Sequence, residues 1–260
     1  MKSSLLKFSA NLGFLWTDRA LPDAIYAAAS AGFDAVECHW PYDSDSALVT
    51  AALKETGLPM VGINTHKGGA GMFGLSALPD QRIDARDAII TAINYAATIG
   101  AKNIHVMAGV AEGDKARDVF LDNLAYACDE AAKHNIGILI EPINTVDVPG
   151  YFLTTADQAA QIIHNVNHPA LRLMFDCYHC ARMNDDVTTM LEKHVSIIGH
   201  IQFAGVPDRG RPDRGTLNYA SVFATIQNVG WSGYLGAEYK PGEQDGCDGT
   251  DQSLGWMLNF

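Results

Sequence analysis

Eight times along these 260 residues a short apolar run gives way to a longer stretch with helical spacing, and that alternation leaves few folds open. The runs fall at 5–11, 35–37, 60–63, 103–107, 137–140, 171–176, 197–202 and 234–238. Helical patterns follow at 21–31, 46–56, 81–99, 116–134, 155–166, 187–194, 219–229 and, shortest, 250–258. Pro22 sits in a first helical turn, and Gly32, Gly57 and Gly100 each follow a last one. Thr154 or Thr155 is placed to cap the helix at 155–166. Gly137-Ile138-Leu139-Ile140, apolar throughout, suits a strand buried on both faces of a parallel sheet. Eight such units in about 250 residues is the count of a (β/α)8 TIM barrel, whose active site lies at the carboxyl ends of the strands. A doubly wound open sheet is the weaker alternative, because no Gly-x-Gly-x-x-Gly follows the first strand. No linker or change of composition divides the chain, so residues 1–260 are expected to form one domain.

The last four strands end alike. Glu141, Asp176, Gln202 and Glu238 close the runs at 137–140, 171–176, 197–202 and 234–238, one oxygen-bearing side chain from each of four successive units. A lone buried carboxylate is too costly to keep, so each needs a partner. One strand-end Glu is explained by a cap or a salt bridge. Four at the same rim point instead to a shared cation, and an all-oxygen donor set suits Mg²⁺ or Mn²⁺.

Other residues fall around the same mouth. His179 lies just past Asp176, where it would hydrogen-bond a substrate oxygen or relay a proton. Arg209, in the loop at 206–214, is the best candidate to clamp a substrate carboxylate; Arg211 and Arg214 compete for that role, and a solvated loop is the plain alternative. Lys240 shares a strand face with Glu238 and would neutralise the cluster, meet the substrate carboxylate or form a rim salt bridge. The Gly-rich loop at 64–79 carries His66 and Lys67 and has the length of a lid. Glu37, His39 and His66 would support the site or line its rim, with His66 kept among the substrate-contacting candidates.

Composition excludes several classes. A formal net charge of −12 repels phosphate backbones, so no nucleic-acid partner is expected. No apolar run approaches the roughly 18 residues of a membrane span. The residues after Met1 lack a signal-peptide core, and five scattered cysteines make no disulfide framework, so a reducing cytoplasm is the expected home. Cys177-Tyr178-His179-Cys180 has no second pair to complete a zinc site, and Asp176 and His179 already explain that stretch. The glycines at 68–74 lack the Lys-Ser/Thr ending of a phosphate-binding loop, and no Gly-x-Ser-x-Gly elbow occurs.

Glu141-Pro142-Ile143-Asn144, Phe175-Asp176-Cys177-Tyr178-His179, Gly199-His200-Ile201-Gln202 and Ala237-Glu238-Tyr239-Lys240-Pro241 resemble the hydroxypyruvate isomerase family, within the xylose-isomerase-like TIM barrels. Ser9-Ala10-Asn11-Leu12 and Gly32-Phe33-Asp34-Ala35-Val36-Glu37 extend the resemblance over nearly the whole chain. It implies an aldose–ketose isomerisation of a small anionic 2-oxo-3-hydroxy acid, hydroxypyruvate to 2-hydroxy-3-oxopropanoate. It also implies that Glu141, Asp176, Gln202 and Glu238 hold a divalent metal, with Glu141 and Glu238 as the acid/base pair. Gln202 stands where ketose 3-epimerases carry a histidine, and Asp147 where they contact substrate through a glutamate. Val106-Met107-Ala108-Gly109-Val110 and Gly74-Leu75-Ser76-Ala77-Leu78-Pro79 also resemble the 2-oxo-tetronate isomerase branch. A sugar or inosose dehydratase and a ketose 3-epimerase are further alternatives on the same barrel, and the family leans towards homo-oligomers.

Overall fold

The computed structural model describes residues 6–242 and 249–260. Its strands are β1 Lys7–Asn11, β2 Ala35–Glu37, β3 Ile63–Asn64, β4 Asn103–His105, β5 Gly137–Ile140, β6 Leu171–Asp176, β7 Ile198–Phe203 and β8 Tyr234–Ala237. All pair in parallel in the order β2-β1-β8-β7-β6-β5-β4-β3. A parallel Val36–Met60 bridge closes the remaining seam, flanked by Val61 N donating to Val36 O at 2.8 Å and Cys38 N to Gly62 O at 3.1 Å. The third apolar run is therefore shared. It bonds on both sides along its length: Met60 O accepts from Lys102 N at 3.0 Å and Asn64 N donates to His39 O at 2.8 Å, while Ile63 and Asn64 ladder onto β4.

The helices are α1 Leu21–Ser30, α2 Ser46–Thr56, α3 Arg82–Ile99, α4 Gly113–Ala132, α5 Ala156–Val166, α6 Cys177–Arg182, α7 Val187–His194 and α8 Tyr219–Asn228. Their ends follow local chemistry. Asp45 caps α2 through Ala47 N at 2.8 Å, and Thr155 caps α5 through Gln158 N at 3.1 Å. Gly57 and Gly100, with φ of 73° and 75°, end α2 and α3 in the left-handed conformation open to glycine. The segment Thr250–Leu258, expected as a helix, winds as 3₁₀ turns that bury Trp256.

Alternation along the strands separates two interiors. Phe8 of β1 and Phe203 of β7 face outwards, where they meet Phe223 of α8 and Trp256 at ring-centroid distances of 5.1 to 5.8 Å. The other face of those strands turns Ser9, Asn11, His200 and Gln202 into the barrel, all buried. Apolar packing holds the helices on, and polar side chains fill the barrel's mouth. No helix among the described residues is long and apolar enough to cross a membrane.

Candidate active site

Asp176 ends β6 and begins α6: its Oδ1 accepts from Tyr178 N at 2.7 Å as the helix cap. One turn of α6 then brings His179 back over it, with Nε2 3.7 Å from Asp176 Oδ2. The same Nε2 is 3.7 Å from Glu141 Oε1, and His105 Nδ1, from the end of β4, is 3.3 Å from Glu141 Oε2. All four side chains are buried. Donor atoms of Glu141, Asp176 and His179 lie within 4.8 Å of one another, a spacing that admits a metal ion.

Glu238 stands across the mouth on the other side of Arg209. The Arg209 guanidinium reaches Glu238 Oε1 at 2.9 Å and Asp176 Oδ2 at 3.4 Å through one terminal nitrogen. It lies 4.8 Å from the Phe14 ring centroid and 5.1 Å from that of Tyr178, so the charge is held between two aromatic faces. His39 Nε2 meets Glu238 Oε1 at 3.0 Å from the rim.

Beneath these groups Glu37, at the end of β2, gathers three donors. His200 Nε2 reaches it at 2.7 Å, Gln202 Nε2 at 2.8 Å and Asn11 Nδ2 at 3.1 Å. Gln202 thus spends its amide nitrogen on Glu37 and keeps its oxygen for the mouth. Burial alone would push the Glu37 carboxyl up; the charge and hydrogen bond of His200 and the Gln202 amide hold it below its ordinary value. The same pairing raises His200 against its own burial.

The other expected contacts lie further out. The Asp147 carboxylate accepts from Asn144 Nδ2 at 3.0 Å and Tyr178 Oη at 2.9 Å, behind His179. Lys240 is exposed beyond the end of β8, tied in by its backbone N–H to Arg209 O at 2.7 Å. His66 is exposed, its Nδ1 accepting from Gly68 N at 3.1 Å. His105 and Asn144 do not stand out in the sequence as working residues. His105 ends the observed β4, but in the sequence it lies inside the apolar run at 103–107, where Val106 and Met107 hide it.

Crowded carboxylates resist ionising together. Burial, then Glu238 and Asp176, raise the Glu141 carboxyl well above its ordinary range. Burial pushes Asp176 up to about 7, with Arg209 pulling against it and Glu238 adding to it. Burial and the nearby Arg209 and His105 hold His179 well below the usual histidine value, and burial with His39 lowers His105 to about 3. Glu141 Oε1, Gln202 Oε1 and Glu238 Oε2 are buried and receive no hydrogen bond. Three acceptor oxygens from three strand ends, buried and without hydrogen-bond partners, are donors of the kind a hard divalent cation takes, and Asp176 supplies a fourth of the same kind.

A family model described as xylose isomerase-like TIM barrel matches residues 25–260. The chain is 42% identical to the 2-oxo-tetronate isomerase of Cupriavidus necator, over 98% of both sequences. It is 34% identical to the hydroxypyruvate isomerase of Escherichia coli, covering 97% of this chain and 98% of that one. A crystal structure of AP endonuclease, family 2, from Brucella melitensis superposes with a TM-score of 0.92 at 34% identity, over 98% of this chain and 99% of that one.

Proposed function

Since the chain belongs to the xylose isomerase-like TIM barrel family, we propose that it is a metal-dependent isomerase of a small 2-oxo-3-hydroxy acid, acting on hydroxypyruvate to give 2-hydroxy-3-oxopropanoate. The observation that carries this reading is the pair of buried glutamates on opposite sides of the mouth, Glu141 after β5 and Glu238 after β8, each with one orphaned oxygen. The reaction moves one proton from C3 to C2 and one from the C3 hydroxyl to the C2 oxygen, with no net loss or gain of atoms. A carboxylate on each side of the substrate serves the carbon transfer: one removes the proton and the other returns it.

Glu141, Asp176, Gln202 and Glu238 would hold the cation. When bound, Mg²⁺ or Mn²⁺ would stabilise the negative charge that develops on two neighbouring substrate oxygens, worth several kcal/mol. Without the cation, burial and the neighbouring carboxylates hold a proton on Glu141; a bound cation would favour its ionised form, the form that can accept the substrate proton. Arg209 uses Nε and one terminal nitrogen on its own neighbours, and its second terminal nitrogen would donate to the substrate carboxylate. His179 Nε2 would donate to a substrate oxygen. The unpaired thiols of Cys38, Cys128, Cys177 and Cys180 suit a cytoplasmic setting.

A second reading is favoured by the 42% identity to a 2-oxo-tetronate isomerase: the same proton shuttle on a four-carbon acid. Phosphodiester cleavage, the activity in the name of the Brucella structure, is disfavoured by the −12 net charge, which repels a nucleic-acid backbone. Proton NMR in D₂O with hydroxypyruvate and 2-oxo-tetronate acids side by side tests the proposal. We expect an equilibrium mixture with solvent deuterium at the reacting carbon, abolished by chelation and restored by Mg²⁺ or Mn²⁺. Irreversible loss of water, inversion without carbonyl migration, or full activity in metal-free protein would overturn it.

A further inference from the structure

The spacing of His179 against Glu141 and Asp176 would allow its imidazole to be a metal ligand. A ligand needs a free lone pair on Nε2; a hydrogen-bond donor needs a proton there. What surrounds Nδ1 decides between them.

Asn144 has its amide orientation fixed by backbone. Its Oδ1 accepts from Val146 N at 3.1 Å and from Asp147 N at 2.9 Å, so an amide flip would set an NH₂ group against two N–H donors. The Nδ2 group must therefore point the other way. One of its hydrogens goes to Asp147 Oδ2 at 3.0 Å, and the other faces His179 Nδ1 at 2.6 Å. The backbone N–H of Asn144 points at the same ring nitrogen from 3.3 Å. Nδ1 thus faces two donors and accepts. A proton on it would be turned against both.

We infer that Asn144, locked by Asp147, is a positioning residue that commits His179 to the Nε2–H tautomer, so that His179 faces the site as a hydrogen-bond donor and not as a metal ligand. The Nε2 atom lies 3.7 Å from both Glu141 and Asp176, too far to be bonded to either, which leaves its proton for a substrate oxygen. Asp147 has a second task in this arrangement. It also holds the hydroxyl of Tyr178, the ring on which Arg209 stacks, so one carboxylate sets both the imidazole and one wall of the guanidinium.

The kinetic consequence rests on the isomerase reading; the tautomer does not, and the test separates them. Protein labelled with ¹⁵N-histidine is recorded in long-range ¹H–¹⁵N correlation spectra, metal-free and with Mg²⁺, and His179→Gln identifies the ring. We expect the Nε2–H pattern in both states. A proton on Nδ1, or loss of the Nε2 proton when Mg²⁺ is added, overturns the inference whatever the activity. Asn144→Ala should mix the two tautomers and lower kcat about 10- to 100-fold, with KM changed less than about twofold. An Asn144→Ala protein that keeps both the wild-type tautomer and kcat removes Asn144 from the role. If that variant does not fold, the wild-type spectra by themselves decide which nitrogen carries the proton.

Discussion

Gly236, in β8, has no room for a side chain. A Cβ there would lie 2.6 and 2.7 Å from the two Glu37 carboxylate oxygens and 2.9 Å from Gln202 Cγ. Those atoms cannot swing aside cheaply, because Glu37 is held by three donors and Gln202 is one of them. Gly236→Ala should therefore cost about 1–3 kcal/mol in denaturant unfolding, the usual range for overpacking. It should also weaken Mn²⁺ binding by unhooking the Gln202 amide; a variant with unchanged stability and unchanged Mn²⁺ affinity would show that Glu37 does not orient Gln202. Glu238→Gln asks about chemistry instead of packing. It keeps the shape of the side chain and the contact to Arg209 but removes the base, so solvent deuterium should stop entering the substrate carbon while the melting temperature stays near that of the parent. Unchanged exchange would take Glu238 out of the acid/base pair.

Among the elements, the loops after β3, β4 and β5 show how far an open-looking segment can be tied down. The glycine-rich stretch at 64–79 has the composition of a lid, yet much of its second half is stitched to its neighbour. Ala77 N donates to Ala108 O at 2.8 Å, Val110 N to Met72 O at 3.0 Å, and Phe152 N to Gly109 O at 2.9 Å. Gly74 is the knot: its φ is 128°, and a Cβ would fall 2.5 Å from Met107 O. Gly74→Ala should strain that backbone by about 1–3 kcal/mol and raise KM more than it lowers kcat, measured by unfolding and steady-state kinetics. Glycine in a sequence states that an unusual conformation is allowed, not whether the neighbouring loop will use it. The eight strands, by contrast, were legible, because each is a short run of mostly apolar residues bounded by turn residues and followed by a helical pattern. The places of Glu141, Asp176, Gln202 and Glu238 at or beside the carboxyl ends of β5 to β8 were legible too, because they follow from where the strands end. The six-residue α6 was not, since Cys177–Arg182 is too short to show a helical period, and its cap, Asp176, was already explained as a strand-end carboxylate. The Glu37 hub and the Asn144–His179 contact were hidden for another reason. They join residues 163 and 35 positions apart, and only the closed barrel brings them together.

At the scale of the whole molecule the site is a store of charge that folding has to tolerate. With a net charge of −12 the outer field offers an anionic substrate no help, so on the proposed reading Arg209 and a bound cation would supply the attraction. The same buried charges make stability depend on pH, and their directions can be summed. Asp176 is pushed up to about 7 and Glu141 is raised well above the ordinary carboxylate range, so each binds its proton more tightly folded than unfolded. Stability from these groups is complete at acid pH and is lost as pH rises through their folded values. His200, raised by Glu37, acts in the same direction. His105, lowered to about 3, and His179, also lowered, act in the opposite one: the unfolded chain takes up protons below about pH 6.5 and the folded chain resists, so stability falls as pH drops. Glu37, held low, adds to that acid loss only once pH falls towards its own depressed value. Between about pH 4.5 and 6.5 the two carboxyls and the two imidazoles oppose one another, so the metal-free protein should hold its melting temperature roughly level there and decline above and below that window. A divalent cation favours the ionised carboxylates, so Mg²⁺ should remove most of the alkaline decline and leave the acid one. Melting curves across this range, with chelator and with Mg²⁺, measure both arms; equal stabilisation by Mg²⁺ at acid and alkaline pH would mean that the cation binds somewhere other than among Glu141, Asp176 and Glu238.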